Sequence, residues 1–357
     1  MSVDSVRWGC VGRVGEDGRV PRRHAGTEMA PSLITVETRR SDASIAVVGT
    51  SRTARLLPAA VRNLGCNASW RGLMTKPRLF HEFISREAAL DANKVFVLTD
   101  AADFVWTDNC NHRELISRYR AIIAASDGAR VVAGAELCRW PHPFPANRDE
   151  EYARFDGRRQ RMLAAVQKEG GRGVSNAPMN HTATTCNTVT GSTRLQKHQG
   201  ISVLVGLCAC SAPPQHKYVN SGFLMGPASA LRDVLACMLA QQTTGVGVVD
   251  DQHALTLCMF EQPGLLTLDY GSSLVLSLSG MHAQSAIDAP DGLARSLVSV
   301  GSGRHPCMLH FNGNSRGSLW RTVWWLRNAL KVARARRPSR NPRATARAPA
   351  EPTPRLP

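Results

Sequence analysis

Blocks of hydrophobic residues along the chain predict strands and helices in alternation. Short apolar runs, which are typical of buried strands, span residues 44–50, 95–98, 129–136, 265–270, 273–278 and 306–310. Apolar residues at helical spacing occupy 54–64, 76–85, 113–126, 229–242, 250–260 and 320–334, and a more polar helix is predicted at 150–169. Strands that alternate with helices predict an α/β domain with a mostly parallel central sheet.

The same pattern divides the chain into one domain and two flanking segments. Residues 1–42 mix Gly, Arg and Pro without periodicity, so we expect them to lack regular structure. The α/β domain is predicted over residues 43–333, and a Gly-, Ser-, Thr- and Asn-rich stretch at 170–215 is interpreted as an insertion or a poorly ordered loop. Residues 334–357 are predicted to form a disordered tail that is rich in Pro and Arg.

Charge is distributed unevenly along the 357 residues, which carry a formal net charge of +16. Residues 327–357 contain nine Lys or Arg residues against the single acid Glu351 and have no aromatic residue. A basic segment of this composition favours a solvated extension over a folded reader of bases. We therefore expect no specific nucleic-acid binding, and contact of the tail with anionic surfaces stays open.

The composition also bears on membranes and on cysteine chemistry. No run of eighteen apolar residues occurs, so no transmembrane segment is predicted, and the first residues lack the apolar stretch of a signal peptide. The ten cysteines show no paired CxxC spacing. This spacing argues against a structural zinc site and leaves the redox compartment open.

Carboxylates stand where the predicted elements end or begin. Asp100 and Asp103 follow the run at 95–98, at the strand end where open α/β sheets bind ligands, and two such acids can converge on Mg²⁺ or Mn²⁺. The alternative is a turn in which both side chains cap backbone N–H groups. Glu136 ends another predicted strand. Asp250 and Asp251 open a helix, where the helix dipole favours acids, so a purely structural role competes with a catalytic one.

Six short segments occur in an order that resembles a known family. They are TDAAD (99–103), AELCRWP (135–141), KYVNSGFLMG (217–226), VVDDQ (248–252), LTLDY (266–270) and HFNGN (310–314). In this order they resemble the glycosyltransferase domain of the procollagen lysyl hydroxylase and glycosyltransferase family, from about residue 44 to residue 320. The hydroxylase half of that family has no counterpart in the chain, and Ala102 stands where family members often carry an aromatic residue.

The resemblance implies a GT-A fold, which is Rossmann-like, and transfer of glucose or galactose from a UDP-sugar to a hydroxyl group. The implied acceptor is hydroxylysine or galactosyl-hydroxylysine of a collagen-like protein, and the implied cofactor is Mn²⁺ or another divalent cation. The implied location is the lumen of the endoplasmic reticulum. Because no signal peptide is visible, the cytoplasm stays an alternative.

The resemblance also implies roles for individual residues. The implied metal ligands are Asp100, Asp103 and His310. The implied catalytic acids are Asp251, then Asp250, with Glu136 beside them. The candidate donor-binding residues are Thr50, Trp70, Lys76, Trp140, Asn312, Gly313 and Arg316.

Two alternatives to collagen glycosylation remain at the level of the sequence. One is an inactive GT-A-like domain that binds a partner through its basic tail. The other is a UDP-sugar transferase with the same donor chemistry that acts on a different glycan or protein.

Overall fold

The computed structural model describes residues 9–10, 31–36, 61–65, 68–100, 103–106, 110–137, 139–140, 149–169, 194–198, 201–205, 216–243, 250–279 and 306–313. Several predicted features lie outside these residues: the strand at 44–50, the helix at 320–334, the tail at 334–357, and the candidates Thr50 and Arg316.

Twelve strands occur in the described part of the chain. They are β1 (Gly9–Cys10), β2 (Ser32–Val36), β3 (Val61–Asn63), β4 (Val95–Asp100), β5 (Phe104–Trp106), β6 (Val131–Glu136), β7 (Arg194–His198), β8 (Ile201–Val205), β9 (Tyr218–Pro227), β10 (Leu266–Leu268), β11 (Val275–Ser277) and β12 (Met308–His310). The helices are α1 (Thr75–Leu90), α2 (His112–Ala124), α3 (Asp149–Ala153), α4 (Asp156–Glu169), α5 (Ala228–Thr243) and α6 (Asp251–Glu261).

A seven-stranded sheet in the order β1-β3-β2-β4-β9-β6-β10 forms the centre of the fold. Six strands run in one direction, and β9 is antiparallel to both of its neighbours, β4 and β6. Phe96, Val97 and Leu98 of β4 are buried, as a strand covered on both faces requires. The predicted α/β class with a mostly parallel central sheet is confirmed.

Most predicted helices are present close to their predicted bounds. The helix expected at 76–85 extends to Leu90 as α1, and its Phe83 packs edge-to-face on Phe96 of β4 with ring centroids 5.8 Å apart. The polar helix expected at 150–169 is two helices, α3 and α4. The interruption lies at Phe155, which is buried and stacks on Phe260 of α6. The prediction of a single polar helix did not take the burial of this ring into account.

Two expectations about the N-terminal part are wrong. Residues 1–42 were expected to lack regular structure, but Ser32–Val36 pairs with β3 and β4, and its Leu33 and Ile34 are fully buried. Val61–Asn63, expected at the end of a helix, is a strand parallel to β2. Ser32–Val36 does carry the apolar and β-branched residues of a buried strand, and the Gly-, Arg- and Pro-rich residues around it obscured that signal. Val61–Asn63 is a three-residue strand that is stabilised by pairing with β2, and that pairing has no local signature in the sequence.

A second, three-stranded sheet has the order β11-β12-β5, in which β12 is parallel to β11 and antiparallel to β5. Within the predicted insertion at 170–215, β7 and β8 form an antiparallel pair. Disulfide bonds join Cys110 to Cys307 and Cys237 to Cys258. No described helix is both long and apolar enough to cross a membrane.

Candidate metal centre and surrounding acids

Asp100, Asp103 and His310 converge at the carboxyl end of β4. Asp100 is the last residue of β4, Asp103 directly precedes β5, and His310 ends β12. One ligand atom from each lies within 4.8 Å of the others. The Nε2 atom of His310 is 3.6 Å from Oδ2 of Asp100 and 3.7 Å from Oδ1 of Asp103. The three residues that the resemblance implied as metal ligands are therefore brought together.

Strand pairing explains why residues so distant in sequence meet. In the β5–β12 ladder His310 lies opposite Phe104, and the backbone N–H of Phe311 donates to the carbonyl oxygen of Asp103 at 2.8 Å. The Phe104 ring stacks on the imidazole of His310 with centroids 4.3 Å apart. The imidazole is thus held in one orientation beside both carboxylates.

The surroundings of His310 fit a bound cation. The residue is 1% exposed, and neither ring nitrogen has a hydrogen-bond partner among the described residues. A buried polar atom is ordinarily paired, and a ring nitrogen that faces two carboxylates is suited to a metal. Two carboxylates with one imidazole are a donor set suited to a divalent cation. The group could hold a metal ion.

Gly222 of β9 lies against this group and was not predicted as a site residue. A Cβ atom at residue 222 would lie 2.2 Å from Cε1 of His310 and 2.9 Å from Oδ2 of Asp100. The pairing of β9 with β6 is irregular here, because the register jumps from Leu224 to Asn220. Irregularities of this kind often lie next to active sites. Only glycine permits the observed approach of the strand to the ligands.

Lys76 connects a metal ligand to a predicted catalytic acid. It lies in the first turn of α1, with Nζ 2.7 Å from Oδ1 of Asp100 and 2.5 Å from Oδ2 of Asp251. Burial on its own would lower the pKa of Lys76, but the two carboxylates outweigh it and the pKa is raised. Burial likewise works to raise the pKa of Asp100, yet Lys76 and then His310 hold it well below its usual range. Asp100 is therefore ionised at neutral pH.

The neighbouring acids Asp250 and Asp251 have different surroundings. Asp250 caps α6, because its Oδ1 accepts from the backbone N–H of His253 at 2.7 Å, and its Oδ2 accepts from Nε1 of Trp140 at 2.6 Å. Burial, with the charge of Asp251, raises the pKa of Asp250 to about 6. Both oxygens of Asp250 thus serve the structure.

Asp251 is connected to the metal group through Lys76. Its Oδ2 accepts from Oγ of Ser221 at 2.9 Å in addition to pairing with Lys76. The side chain is nearly buried, so its charge is balanced inside the protein by Lys76. Of the two acids, Asp251 is the one linked to the metal ligands.

Glu136 lies in a cage of three side-chain amides. Its Oε2 accepts from Nδ2 of Asn220 at 3.1 Å and from Nδ2 of Asn312 at 2.5 Å, and its Oε1 accepts from Nε2 of Gln252. Burial raises the pKa of Glu136 to about 8, and the charge of Asp250 adds to the shift, while the three amides oppose it. Glu136 thus links β6, β9, α6 and the segment after β12.

Asn220 and Gln252 of this cage were not predicted as site residues. Both lie inside segments that carry the family resemblance, and that position was the only signal for them in the sequence. Their amide groups matter only once three distant elements are folded together.

The remaining candidates are placed as follows. Trp70 precedes α1 and is 48% exposed, so it is on the surface. Asn312 binds Glu136 and also accepts from the backbone N–H of Ser279 at 3.0 Å. Gly313 has a φ of 55°, a left-handed conformation that favours glycine, and it shapes the turn after β12.

Comparison with known proteins adds no assignment. A scan against protein-family models finds no match, and a search of curated proteins finds none either.

Proposed function

We propose that this protein is a metal-dependent glycosyltransferase of the GT-A type that moves a hexose from a UDP-sugar to a hydroxyl acceptor. The observation that carries the proposal is the convergence of Asp100, Asp103 and His310 at the carboxyl end of a strand in a mostly parallel sheet. That edge is where open α/β sheets bind nucleotides. The ordered series of six segments that resembles the procollagen glycosyltransferases supports the same reading.

In the proposed reaction Asp100, Asp103 and His310 would hold a divalent cation, and that cation would supply positive charge against the negative charge of a departing diphosphate. The ammonium group of Lys76 lies beside the same ligands and adds a fixed positive charge there. The backbone turn at Gly313 offers N–H groups to phosphate oxygens.

Asp251 is the proposed general base toward the acceptor hydroxyl. The contacts with Lys76 and Ser221 both involve Oδ2, so Oδ1 is the oxygen that takes the proton. Lys76 and Ser221 also fix the orientation of the carboxylate. Asp250 and Glu136, which the sequence placed beside it as catalytic candidates, are proposed to position Trp140 and the amide cage instead.

The proposed acceptor is hydroxylysine or galactosyl-hydroxylysine in a collagen-like protein, in the lumen of the secretory pathway. The two disulfides among the described residues support an oxidising compartment. The proposed partners are thus the UDP-sugar and a protein that carries a hydroxyl group.

A donor panel tests the proposal. The purified chain is incubated with UDP-glucose, UDP-galactose and other UDP-sugars, with and without Mn²⁺, and release of UDP is measured. Transfer is then measured to peptides that carry hydroxylysine or galactosyl-hydroxylysine. We expect Mn²⁺-dependent release with one hexose donor. Release without transfer to either peptide would favour a different acceptor, and failure to bind UDP and Mn²⁺ together would favour an inactive binding domain.

Asp103→Asn tests the metal ligands within the same assay. Asp103 is 1% exposed and its side chain adjoins His310, so loss of its charge should abolish Mn²⁺-dependent binding of UDP while the fold persists. The matched control is Asp233→Asn, which removes an equal charge from an exposed pair with Arg232 on α5. Unchanged Mn²⁺ dependence in Asp103→Asn would contradict the assignment of the ligands.

A further inference from the structure

Two of the three metal ligands depend on the small sheet, and the third does not. Asp100 belongs to the seven-stranded sheet, while His310 and Asp103 lie on or beside the β5–β12 ladder. Within the described residues, that ladder pairs Phe104–Trp106 with Met308–His310 and extends no further. The distance between the imidazole and the second carboxylate therefore depends on a short pairing.

The Cys110–Cys307 disulfide joins the two sides of this ladder. Cys307 directly precedes β12, and Cys110 follows β5, so the bond lies at the end of the ladder opposite His310. Both cysteines are at most 1% exposed. The two cysteines are 197 residues apart in the sequence. Without the bond, bringing their segments together has a high cost in chain entropy, because the loop between them is long.

We propose that Cys110 and Cys307 are positioning residues of the metal centre: their disulfide holds β5 against β12 and so keeps Asp103 and His310 at the spacing that one cation needs. The inference rests on the metal centre of the proposed function. Metal ligands depend on supporting groups for their orientation, and loss of such support weakens metal binding. Asp100 belongs to the seven-stranded sheet, so the bond acts on the other two of the three ligands.

The second disulfide offers a matched control. Cys237 and Cys258 join α5 to α6, and the metal ligands lie on neither helix. Removal of this bond, like removal of Cys110–Cys307, increases the conformational entropy of the unfolded chain and so lowers the stability of the protein. It should leave the spacing of Asp103 and His310 unchanged.

The first experiment measures Mn²⁺ affinity by calorimetry for the wild-type chain, Cys110→Ala/Cys307→Ala and Cys237→Ala/Cys258→Ala. We expect the first pair to weaken affinity by about 10- to 100-fold, the range for lost supporting groups, and the second pair to leave it unchanged. Equal affinity in all three chains, or equal weakening by both pairs, would overturn the positioning role. A wild-type chain that binds no Mn²⁺ would overturn the metal centre itself, and the positioning role with it.

The second experiment uses the wild-type chain and does not require a variant to fold. The protein is equilibrated with reduced and oxidised glutathione, with and without saturating Mn²⁺. Two glutathione thiols reduce one protein disulfide and leave as oxidised glutathione. Alkylation and mass spectrometry then give the reduced fraction at each disulfide.

The coupling between two binding equilibria is reciprocal. If the disulfide raises the affinity for Mn²⁺ by a given factor, bound Mn²⁺ must shift the equilibrium between thiols and disulfide toward the disulfide by the same factor. We expect Mn²⁺ to shift the equilibrium constant for reduction of Cys110–Cys307 by about 10- to 100-fold toward the disulfide, and to leave Cys237–Cys258 unaffected. An equal reduced fraction with and without Mn²⁺ at both bonds would overturn the proposal.

Discussion

At the scale of single residues, hydrogen bonding separates the two adjacent aspartates more clearly than their sequence does. Asp250 gives one oxygen to the helix terminus and the other to Trp140, whereas Asp251 meets Lys76 and Ser221 beside the metal ligands. At the level of the sequence both acids were placed at a helix start and Asp251 was ranked before Asp250. Their different contacts could not be predicted, because Trp140 and Lys76 come from distant elements.

Asp251→Asn separates catalysis from binding. The amide keeps the shape of the side chain and removes its charge, and Lys76 retains its pair with Asp100. We expect sugar transfer to fall by about 100-fold, the scale for loss of a positioned base, with UDP–Mn²⁺ affinity little changed. The control is Asp250→Asn, measured in the same transfer assay. Near-normal transfer by Asp251→Asn together with a large loss in the control would assign the base to Asp250.

Gly222→Ala tests the close approach of β9 to the ligands. The added methyl group would meet Cε1 of His310 at 2.2 Å, and the imidazole is stacked on Phe104 and cannot move aside freely. We expect Mn²⁺ affinity, measured by calorimetry, to fall at least about 10-fold. Gly264→Ala is the control, since a Cβ atom there meets nothing within 4 Å. Wild-type affinity in Gly222→Ala would show that the ligands are not held in the described arrangement.

At the scale of elements, the sequence predicted the ends of strands better than it predicted their neighbours. The runs at 95–98 and 129–136 are β4 and β6, and the acids that follow them lie at the expected edge. The pairing of β12 with β5 was not predicted, because it joins segments far apart in the chain. The short strand at Ser32–Val36 was missed although its residues are mostly apolar and β-branched. The two carboxylates of the metal group therefore followed from the position of the strand end, His310 followed from the resemblance, and the geometry of the group followed from the fold.

Asp250→Ala tests the cap of α6. Loss of the side chain leaves the backbone N–H of His253 and the indole N–H of Trp140 without their described acceptor. We expect the free energy of unfolding, measured with urea, to fall by about 1 to 2 kcal/mol. Asp250→Asn should lose less, because its amide oxygen can still cap the helix, although its NH2 group cannot accept from the indole N–H of Trp140. A variant Asp250→Ala as stable as the wild type would contradict the structural role.

At the scale of the whole molecule, Glu136 joins four separate parts of the fold through its amide cage. The sequence marked Glu136 only as an acid at a strand end. Its function as a junction could not be predicted, because Asn220, Gln252 and Asn312 reach it from three other segments.

The raised pKa of Glu136 predicts a pH-dependent stability. The folded protein holds a proton on Glu136 up to about pH 8, while the unfolded chain releases it near the ordinary value of 4.5. The free energy of unfolding should therefore fall as pH rises between these values, by at most about 1.4 kcal/mol per pH unit. Asp250 acts in the same direction only up to about pH 6. His216 and His253, whose pKa values burial lowers, act in the opposite direction up to about their ordinary value of 6.5, so the interval from about pH 7 to 8 reports mainly on Glu136.

Glu136→Gln, which resembles the protonated acid, should remove this dependence. Melting temperatures of both proteins, recorded across the interval, give the comparison, and groups that titrate elsewhere cancel in the difference. Parallel curves for the two proteins would show that Glu136 is ionised in the folded state.

The position of β9 also governs when the fold can be completed during synthesis. β9 separates β4 from β6, although both of these strands leave the ribosome long before Tyr218–Pro227 does. Until β9 arrives, each of them exposes an unpaired apolar edge to other chains. The nascent protein should therefore depend on chaperones through the interval between Glu136 and Tyr218, and a long insertion at this point lengthens that dependence.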